Sequence, residues 1–122
     1  MIRGSFKDRD DNDLVEASVK GDKLAFGEIV NRYQNMVART VKGMLGDSVI
    51  SEDIGQEVFI KLYHSLPGFR GESKLSTYIQ KMAINFSINE IRRRKRFLSM
   101  FSLKENAEMH EMNFAGGDEE QK

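Results

Sequence analysis

The stretch "STYIQKMAINFSINEIRRRKRFL", residues 76–98, decides the fold that this chain is expected to adopt. At about 100° per residue, its apolar side chains fall on two nearly opposite sides of a helix over residues 75–96. One stripe holds Leu75, Ile79, Met82, Ala83 and Phe86, and the other holds Ile84, Ile88 and Ile91. A helix with two apolar stripes is either sandwiched between neighbours or central to a bundle. The stretch therefore predicts an all-α fold.

A polar strip runs between these two stripes, within an arc of about 80°. It carries Tyr78, Lys81, Asn85, Asn89, Arg92 and Arg96. The last two, with Arg93, belong to a run of five consecutive cations, Arg92–Arg96, called the basic run below. Aromatic rings stack on bases, amides pair with base edges and guanidinium groups bind phosphates. Two asparagines, where Lys or Glu would form a better helix, favour nucleic-acid contact. A merely solvated face is the alternative.

Charge is sorted along the chain, although the formal net charge is zero. Residues 1–68 carry 9 cations and 11 anions, residues 69–96 carry 8 cations and 2 anions, and residues 97–122 carry 2 cations and 6 anions. The three net charges are −2, +6 and −4. A polyanion would meet the middle segment and not the average, so the distribution also favours a nucleic-acid partner.

Composition limits the classes of protein that this chain can belong to. A length of 122 residues has room for one domain. The chain has no cysteine, apolar membrane span or secretory signal, so we expect a cytoplasmic protein that does not insert into a membrane. No acid–base or nucleophile constellation is present, so we expect no enzyme and no cofactor. Asp53 and Glu57 lie one helical turn apart without a third ligand, so we expect no metal ion.

Three further helices precede the stretch quoted above. The first is capped by Asp11 or Asn12 and ends at Gly21, the second covers Lys23 to Leu45, and the third is capped by Asp47 or Ser48 and ends near Leu66. The fourth starts at Ser73 or Ser76 and ends in the basic run. We predict a compact bundle of about four helices. Its parts are a flexible arm over residues 1–10, the domain over residues 11–97, and a flexible acidic linker or tail over residues 98–122.

Two further regions carry residues that packing in a hydrophobic core does not explain. The loop "LPGFRGESK" before the fourth helix contains Phe69, Arg70 and Lys74, and Phe69 either lines a pocket for an unstacked base or anchors the loop in the core. The outer side of the third helix carries Asp53, Gln56, Glu57 and Ile60, called the acidic face below. An isoleucine among acids indicates a docking surface for another protein, and a solvated face is again the alternative.

Three motifs resemble a known family. "EDIGQEVFIKLY" at residues 52–63, "FRGES" at 69–73 and "IQKMAINFSINEIRRRKR" at 79–96 follow one another as in the second conserved domain of bacterial sigma factors. The extracytoplasmic-function (ECF) group is the most similar, over residues 11–97. Tyr78 stands where the family usually has Trp, and Leu75 where it usually has Phe. Gly55 stands where a larger apolar residue is common, and a close helix contact is one reason for a glycine there.

The resemblance implies a transcription initiation factor that binds RNA polymerase core and recognises the −10 promoter element while the duplex opens. The acidic face would dock on the clamp helices of the β′ subunit, and the loop from Phe69 to Lys74 would capture a flipped base of the non-template strand. Asn85 would contact the promoter, and the basic run would contact phosphates. The family's helix-turn-helix domain would follow the linker, so we expect an isolated domain of a longer protein.

A second hypothesis remains open at this point. The chain would then be a helical interaction module, a regulator bound by an anti-sigma partner without any promoter-opening activity. The resemblance implies an anti-sigma factor that covers the same faces that would contact polymerase and promoter DNA. Binding of single-stranded oligonucleotides separates the two hypotheses.

Overall fold

The computed structural model describes residues 3–109, with side chains over residues 6–102, and within that range the chain is helical and contains no strand. The α-helices are α1 (Asp11–Val19), α2 (Lys23–Leu45), α3 (Val49–Ser65) and α4 (Leu75–Met109). Two 3-10 helices, Arg3–Asp8 and Leu66–Gly68, precede α1 and follow α3. The predicted all-α bundle of four helices is confirmed. No helix in the described range is long and apolar enough to cross a bilayer.

Side-chain caps begin the first three helices. The Asp10 carboxylate accepts a hydrogen bond from the Asp13 N–H at 2.9 Å, the Asp22 carboxylate accepts two from α2, and the Ser48 hydroxyl accepts one from the Ser51 N–H. The prediction that Asp11 or Asn12 caps α1 is wrong by one residue. Asp11 is instead the first residue of α1, and its carboxylate binds Arg32 and Tyr33.

The core of residues 1–88 is built from side chains that recur every three or four positions. Leu75, Ile79 and Ala83 of the predicted first stripe of α4 are buried, and Met82 and Phe86 are partly buried. The helices that face them bury Leu14, Ala25, Ile29, Val37, Val41, Ile54, Val58 and Leu62. A hydrogen bond from the Thr40 hydroxyl to the Gln80 Oε1 at 3.0 Å also links α2 to α4. The first predicted stripe of α4 therefore lies in the core, whereas Ile84 and Ile88 of the second stripe are only partly buried.

Arg32 holds the N-terminal segment against α2. Its Nη2 donates to the carbonyl oxygens of Phe6, Lys7 and Arg9 at 3.1, 3.1 and 2.6 Å, and its Nη1 binds Asp11 at 3.0 Å. The Tyr33 hydroxyl donates to the same Asp11 carboxylate. Burial, with a further effect of that hydrogen bond, raises the pKa of Tyr33 to about 12, so its hydroxyl stays a donor at neutral pH. The Arg32 guanidinium thus binds part of the N-terminal arm, residues 1–10, that the sequence predicted to be flexible.

Helix α4 continues past Arg96, where the sequence predicted its end, to Met109. Residues 72–115 contain neither Pro nor Gly, so nothing in the sequence interrupts the helix. The rings of Phe97 and Phe101, one turn apart, stack with centroids 6.3 Å apart. Residues 98–109 of the predicted linker are therefore helical, and residues 110–122 lie outside the described residues.

Gly55 provides a test of helix propensity without a steric cost. A methyl group at this position would lie 4.0 Å from Val37 Cγ1, an ordinary contact, so a close approach of α2 does not require the glycine. We expect Gly55→Ala to raise the free energy of unfolding by up to about 1 kcal/mol, measured by urea denaturation.

The control is Gly46→Ala, at the end of α2, where φ is 91°. Space is open there, but the left-handed backbone disfavours a side chain, so this variant should lose about 1 kcal/mol. Destabilisation by Gly55→Ala would mean that α2 and α3 approach each other more closely than the structure indicates.

Candidate nucleic-acid and protein interfaces

The loop between α3 and α4 is ordered by contacts at both ends. The 3-10 turn Leu66–Gly68 brings the Phe69 N–H to the Leu66 carbonyl at 2.9 Å, and the Tyr78 N–H binds the Lys74 carbonyl at 3.0 Å. Gly71 has φ 76°, a backbone conformation in which a side chain is strained. Arg70 and Lys74 are exposed along this loop. The predicted loop residues are therefore presented on a fixed backbone.

Two aromatic rings form the centre of the loop. The Phe69 and Tyr78 ring centroids lie 4.7 Å apart with planes tilted by 42°, and both side chains are half-buried. The Tyr78 hydroxyl donates to Ser65 Oγ at 3.1 Å, and the Ser65 hydroxyl donates to the Leu62 carbonyl at 3.2 Å. These bonds connect α4 to the end of α3. Phe69 is thus partly packed and still reaches the surface, an arrangement compatible with either of the two predicted roles.

An open groove of about 450 Å³ lies between this loop and α1. Leu66, Pro67, Phe69, Arg70 and Gly71 form one wall. The other wall is formed by Asn12, Val15, Glu16, Val19 and Lys20. No local pattern in the sequence indicated that α1 would meet the loop, because the contact is made by residues about 50 positions apart.

The polar strip of α4 up to residue 88 faces solvent. Lys81 and Asn85 are exposed, whereas Tyr78 is half-buried against Phe69. Within the part of the chain that the structure describes, the Asn85 amide makes no side-chain hydrogen bond. An exposed amide with donor and acceptor both unused is suited to pair with a base edge.

The basic run lies in a second compact unit, Asn89–Lys122. Asn89, Arg92, Arg93 and Arg96 are all exposed, as the sequence predicted. The Arg93 guanidinium binds both oxygens of the nearly buried Glu90 carboxylate, at 3.0 and 2.8 Å, and Arg94 Nε binds the same carboxylate at 3.3 Å. The hydrogen bonds from Arg93 hold the pKa of Glu90 below its usual range. The charge of Arg93 is thus partly offset by a carboxylate that Arg94 shares.

Glu90 is a residue of the basic segment that the sequence interpretation did not single out. Its spacing of three and four residues from Arg93 and Arg94 is the signal that identifies such an ion pair. For Arg92, Lys95 and Arg96, no carboxylate lies within ion-pair distance among the described residues. These three cations are available to an external anion.

The acidic face of α3 is exposed as predicted. Asp53, Gln56 and Glu57 face solvent, and the Ile60 side chain is 59% exposed. A groove of about 480 Å³ lies between α3 and α2 and is lined largely by apolar or small residues, Val30, Val37, Ala38, Gly55, Phe59 and Ile60. An apolar groove bordered by Gln56 and Glu52 has the composition of a protein-docking surface.

A family model, that of sigma-70 region 2, matches residues 29–97, more than half of the chain. The chain belongs to the sigma-70 region 2 family. The matched range contains α3, the loop, the polar strip of α4 and the basic run, so each candidate surface except α1 lies within the region 2 match.

Curated relatives agree with this family and with the ECF group predicted from the motifs. The ECF RNA polymerase sigma-E factor of Haemophilus influenzae is 43% identical over 79 residues, which are 65% of this chain and 41% of that protein. The RNA polymerase sigma-H factor of Pseudomonas aeruginosa is 37% identical over 81 residues, which are 66% of this chain and 42% of that protein. The region 2 chain spans about two fifths of the length of these relatives.

A solved structure shares the fold of this region 2 domain. It is an NMR structure of an engineered region 2 of sigmaE in complex with GTAAAA. The TM-score is 0.67 and the identity 38%, and the match covers 74% of this chain and 94% of that chain.

We expect the pairing of Glu90 with Arg93 to lower the affinity for single-stranded DNA and to reduce its dependence on salt concentration. If Arg92, Lys95 and Arg96 each contact one phosphate, the basic run contributes about −2 to the slope of log K against log salt, at about −0.7 per phosphate contact. Glu90→Gln removes the carboxylate that Arg93 and Arg94 share, so we expect higher affinity and a slope steeper by at least about 0.7, measured by fluorescence anisotropy at several salt concentrations.

The matched control is Glu57→Gln on the acidic face, which removes one negative charge from a carboxylate without a cation partner in the described residues. It should leave the salt slope unchanged. An equal change in both variants would show that net charge, and not the release of Arg93, governs binding.

Proposed function

We propose that this sigma region 2 domain binds RNA polymerase core and recognises the −10 promoter element, which it helps to melt by capturing bases of the non-template strand. The observation that carries this proposal is the open groove beside Phe69, next to a loop whose backbone is already ordered. The engineered sigmaE region 2 that shares the fold forms a complex with GTAAAA. The domain itself would make and break no covalent bonds.

Base capture accounts for both recognition and strand separation. Removing a base from the stack costs a few kcal/mol, least at a flexible A·T-rich step. Stacking on an aromatic ring returns roughly 1–3 kcal/mol per base. Phe69 reaches the groove while its ring rests on Tyr78, so a base that leaves the duplex finds a supported ring there. A strand that offers the preferred base is therefore opened at a lower net cost than one that does not.

The polar strip would supply the remaining DNA contacts. The exposed Asn85 amide would pair with a base edge, with Lys81 beside it as a phosphate contact. Asn89 would extend the reading, and Arg92, Lys95 and Arg96 would attract the backbone of any sequence by releasing counterions. Arg70 and Lys74 of the loop would bind phosphates on either side of the captured base.

The acidic face would dock on the β′ clamp helices of the polymerase. Asp53 and Glu57 provide charge, and Ile60 with the groove beside it provides apolar area that a partner helix can bury. The site of action would be the cytoplasm.

One observation favours a second function, an interaction module held by an anti-sigma factor. Phe97, Leu98, Met100 and Phe101 are all more than half exposed on α4, as expected for a surface that a protein partner covers.

Asn85→Ala tests base-specific reading. We expect this variant to bind a preferred −10 strand roughly 5- to 30-fold more weakly, because one good amide–base pair is worth about 1–2 kcal/mol, and to bind a scrambled strand as the wild type does. Fluorescence anisotropy with two labelled oligonucleotides of equal length measures both.

Asn35→Ala is the matched control, since Asn35 is an exposed asparagine on α2, away from the polar strip. It should change neither affinity. A similar loss on both strands in Asn85→Ala would remove base reading from this residue and leave it a general DNA contact.

Reversal of charge on the acidic face tests polymerase docking. We expect the double variant Asp53→Lys, Glu57→Lys to bind polymerase core roughly 100-fold more weakly or worse, because like charges placed across an interface cost several kcal/mol. Binding of single-stranded DNA should persist. Biolayer interferometry with immobilised core enzyme measures the first quantity, and anisotropy measures the second.

The double variant Asp8→Lys, Asp13→Lys changes the net charge equally at two exposed carboxylates near the N-terminus. Polymerase binding should be close to the wild-type value in this control. Undiminished docking of the Asp53 and Glu57 variant would show that polymerase uses another face.

A further inference from the structure

We infer that the part of α4 from Arg92 to Phe101 binds the surface of an anionic lipid bilayer. The helix would lie in the plane of the headgroups, with its apolar side chains at the acyl boundary, and would not cross the membrane. The ligand class is a lipid whose headgroup carries a net negative charge. The inference goes beyond the proposed function, in which the cations of this segment contact only DNA.

Four large apolar side chains follow the basic run and face solvent. Phe97, Leu98, Met100 and Phe101, called the apolar arc below, are 62, 60, 67 and 52% exposed. The rings of Phe97 and Phe101 stack on each other, so they lie on the same side of the helix. Single exposed apolar residues are ordinary, but four within five positions indicate a surface that another molecule covers.

Apolar and available cationic side chains lie on different sides of this segment. At about 100° per residue, the apolar arc extends over about 160°, from Met100 on one edge to Leu98 on the other. The three available cations, Arg92, Lys95 and Arg96, lie in the remaining arc, with Arg96 next to the Met100 edge and Lys95 next to the Leu98 edge. An apolar face flanked by Lys and Arg is the pattern of a helix that lies at a membrane interface.

Glu90 pairs with the two cations that fall within the angular range of the apolar arc. These are Arg93 and Arg94, which bind the nearly buried Glu90 carboxylate at 2.8 and 3.3 Å. The two ion pairs offset part of the positive charge on that side of the helix, and the aliphatic stem of an arginine can cover apolar surface. Glu90 therefore reduces the cost of placing this side of α4 against the acyl boundary.

The distribution of charge favours an extended anionic surface over one acidic patch on a protein. Residues 92–104 contain six cations and no anion, and all six anions of residues 97–122 follow Lys104. Cations border the apolar arc on both flanks, so the partner must be anionic on both sides of the surface that covers it. A bilayer with anionic headgroups meets this condition, and each Lys or Arg near it strengthens binding by roughly fivefold.

The first experiment measures binding of the full chain to lipid vesicles by co-sedimentation. One set of vesicles is pure phosphatidylcholine, and the other contains about one third phosphatidylglycerol. We expect roughly 100-fold stronger binding to the anionic vesicles, from three cations at about fivefold each. Equal binding to both sets, or no binding to the anionic set, would overturn the inference and leave the apolar arc to a protein partner.

The double variant Phe97→Ser, Phe101→Ser tests the apolar arc. We expect it to bind anionic vesicles roughly tenfold more weakly or worse, because two rings no longer enter the interface, and to bind single-stranded DNA as the wild type does. Unchanged vesicle binding would show that charge alone attracts the chain and would overturn the inference. An equal loss of vesicle and DNA binding would assign the rings to base stacking and would overturn it as well.

The matched control is the double variant Leu24→Ser, Val49→Ser. It removes two apolar side chains, 62 and 71% exposed, from α2 and α3. Both affinities should stay at the wild-type values, because neither residue belongs to the segment that would bind lipid. A loss of vesicle binding equal to that of the Phe97 and Phe101 variant would overturn the assignment to α4.

Fluorescence measures the depth of the apolar arc directly, because the chain contains no tryptophan. Phe97→Trp introduces one fluorophore into the arc, and we expect its emission to shift to shorter wavelength when anionic vesicles are added. Leu24→Trp, at an exposed position of α2, should show no shift. Binding of the Phe97→Trp variant without a shift would mean that the arc stays in water, which would overturn the interfacial placement of α4.

Discussion

The contact between the Phe69 and Tyr78 rings is the interaction on which the candidate site depends, because it fixes the residues between α3 and α4. Tyr78 also binds Ser65 through its hydroxyl and Lys74 through its N–H, so one residue of α4 holds both the end of α3 and the end of the loop. Ordering a residue costs about 1–2 kcal/mol in backbone entropy. In the proposed capture of a base, a loop that is already ordered would avoid that cost, and the stacking energy would be available for recognition.

Charge is controlled by pairing as well as by position in the sequence. The segment from residue 69 to 96 has net charge +6, and one of its two anions, Glu90, is paired with Arg93 next to the basic run. Each phosphate contact adds affinity for every sequence alike. A run with fewer available cations therefore gains less on random DNA, while contacts to base edges are unaffected. Specificity is a ratio of affinities, and a contact that all sequences share cancels in that ratio, so partial neutralisation lowers total affinity and leaves discrimination to the contacts with base edges.

The sequence predicted what depends on local pattern and missed what depends on tertiary contact. The bounds of α2, Lys23–Leu45, follow from its apolar period, its Asp22 cap and Gly46, and these were predicted correctly. The exposure of Asn85 and of the acidic face also follows from helical period. The binding of the N-terminal segment by Arg32 and the meeting of α1 with the loop depend on side chains more than 20 positions apart, so no window of sequence contained them. The extension of α4 to Met109 was missed because a charged, Met-rich composition was given more weight than the lack of Pro and Gly.

The position of Tyr78 also changes the interpretation of its difference from the family pattern. The sequence placed Tyr78 in the polar strip, as a ring that would stack on a base. In the structure one side of its ring faces Phe69 and its hydroxyl is bound to Ser65, so a large part of its surface is already used. Phe69, which lines the groove, is then the ring that a base can reach, and Tyr78 supports it from behind. A hydroxyl anchored at α3 sets the tilt of the supporting ring and, through it, the tilt of Phe69. The substitution of Tyr for Trp would therefore affect strand opening through the orientation of Phe69, more than through the stacking area that is lost.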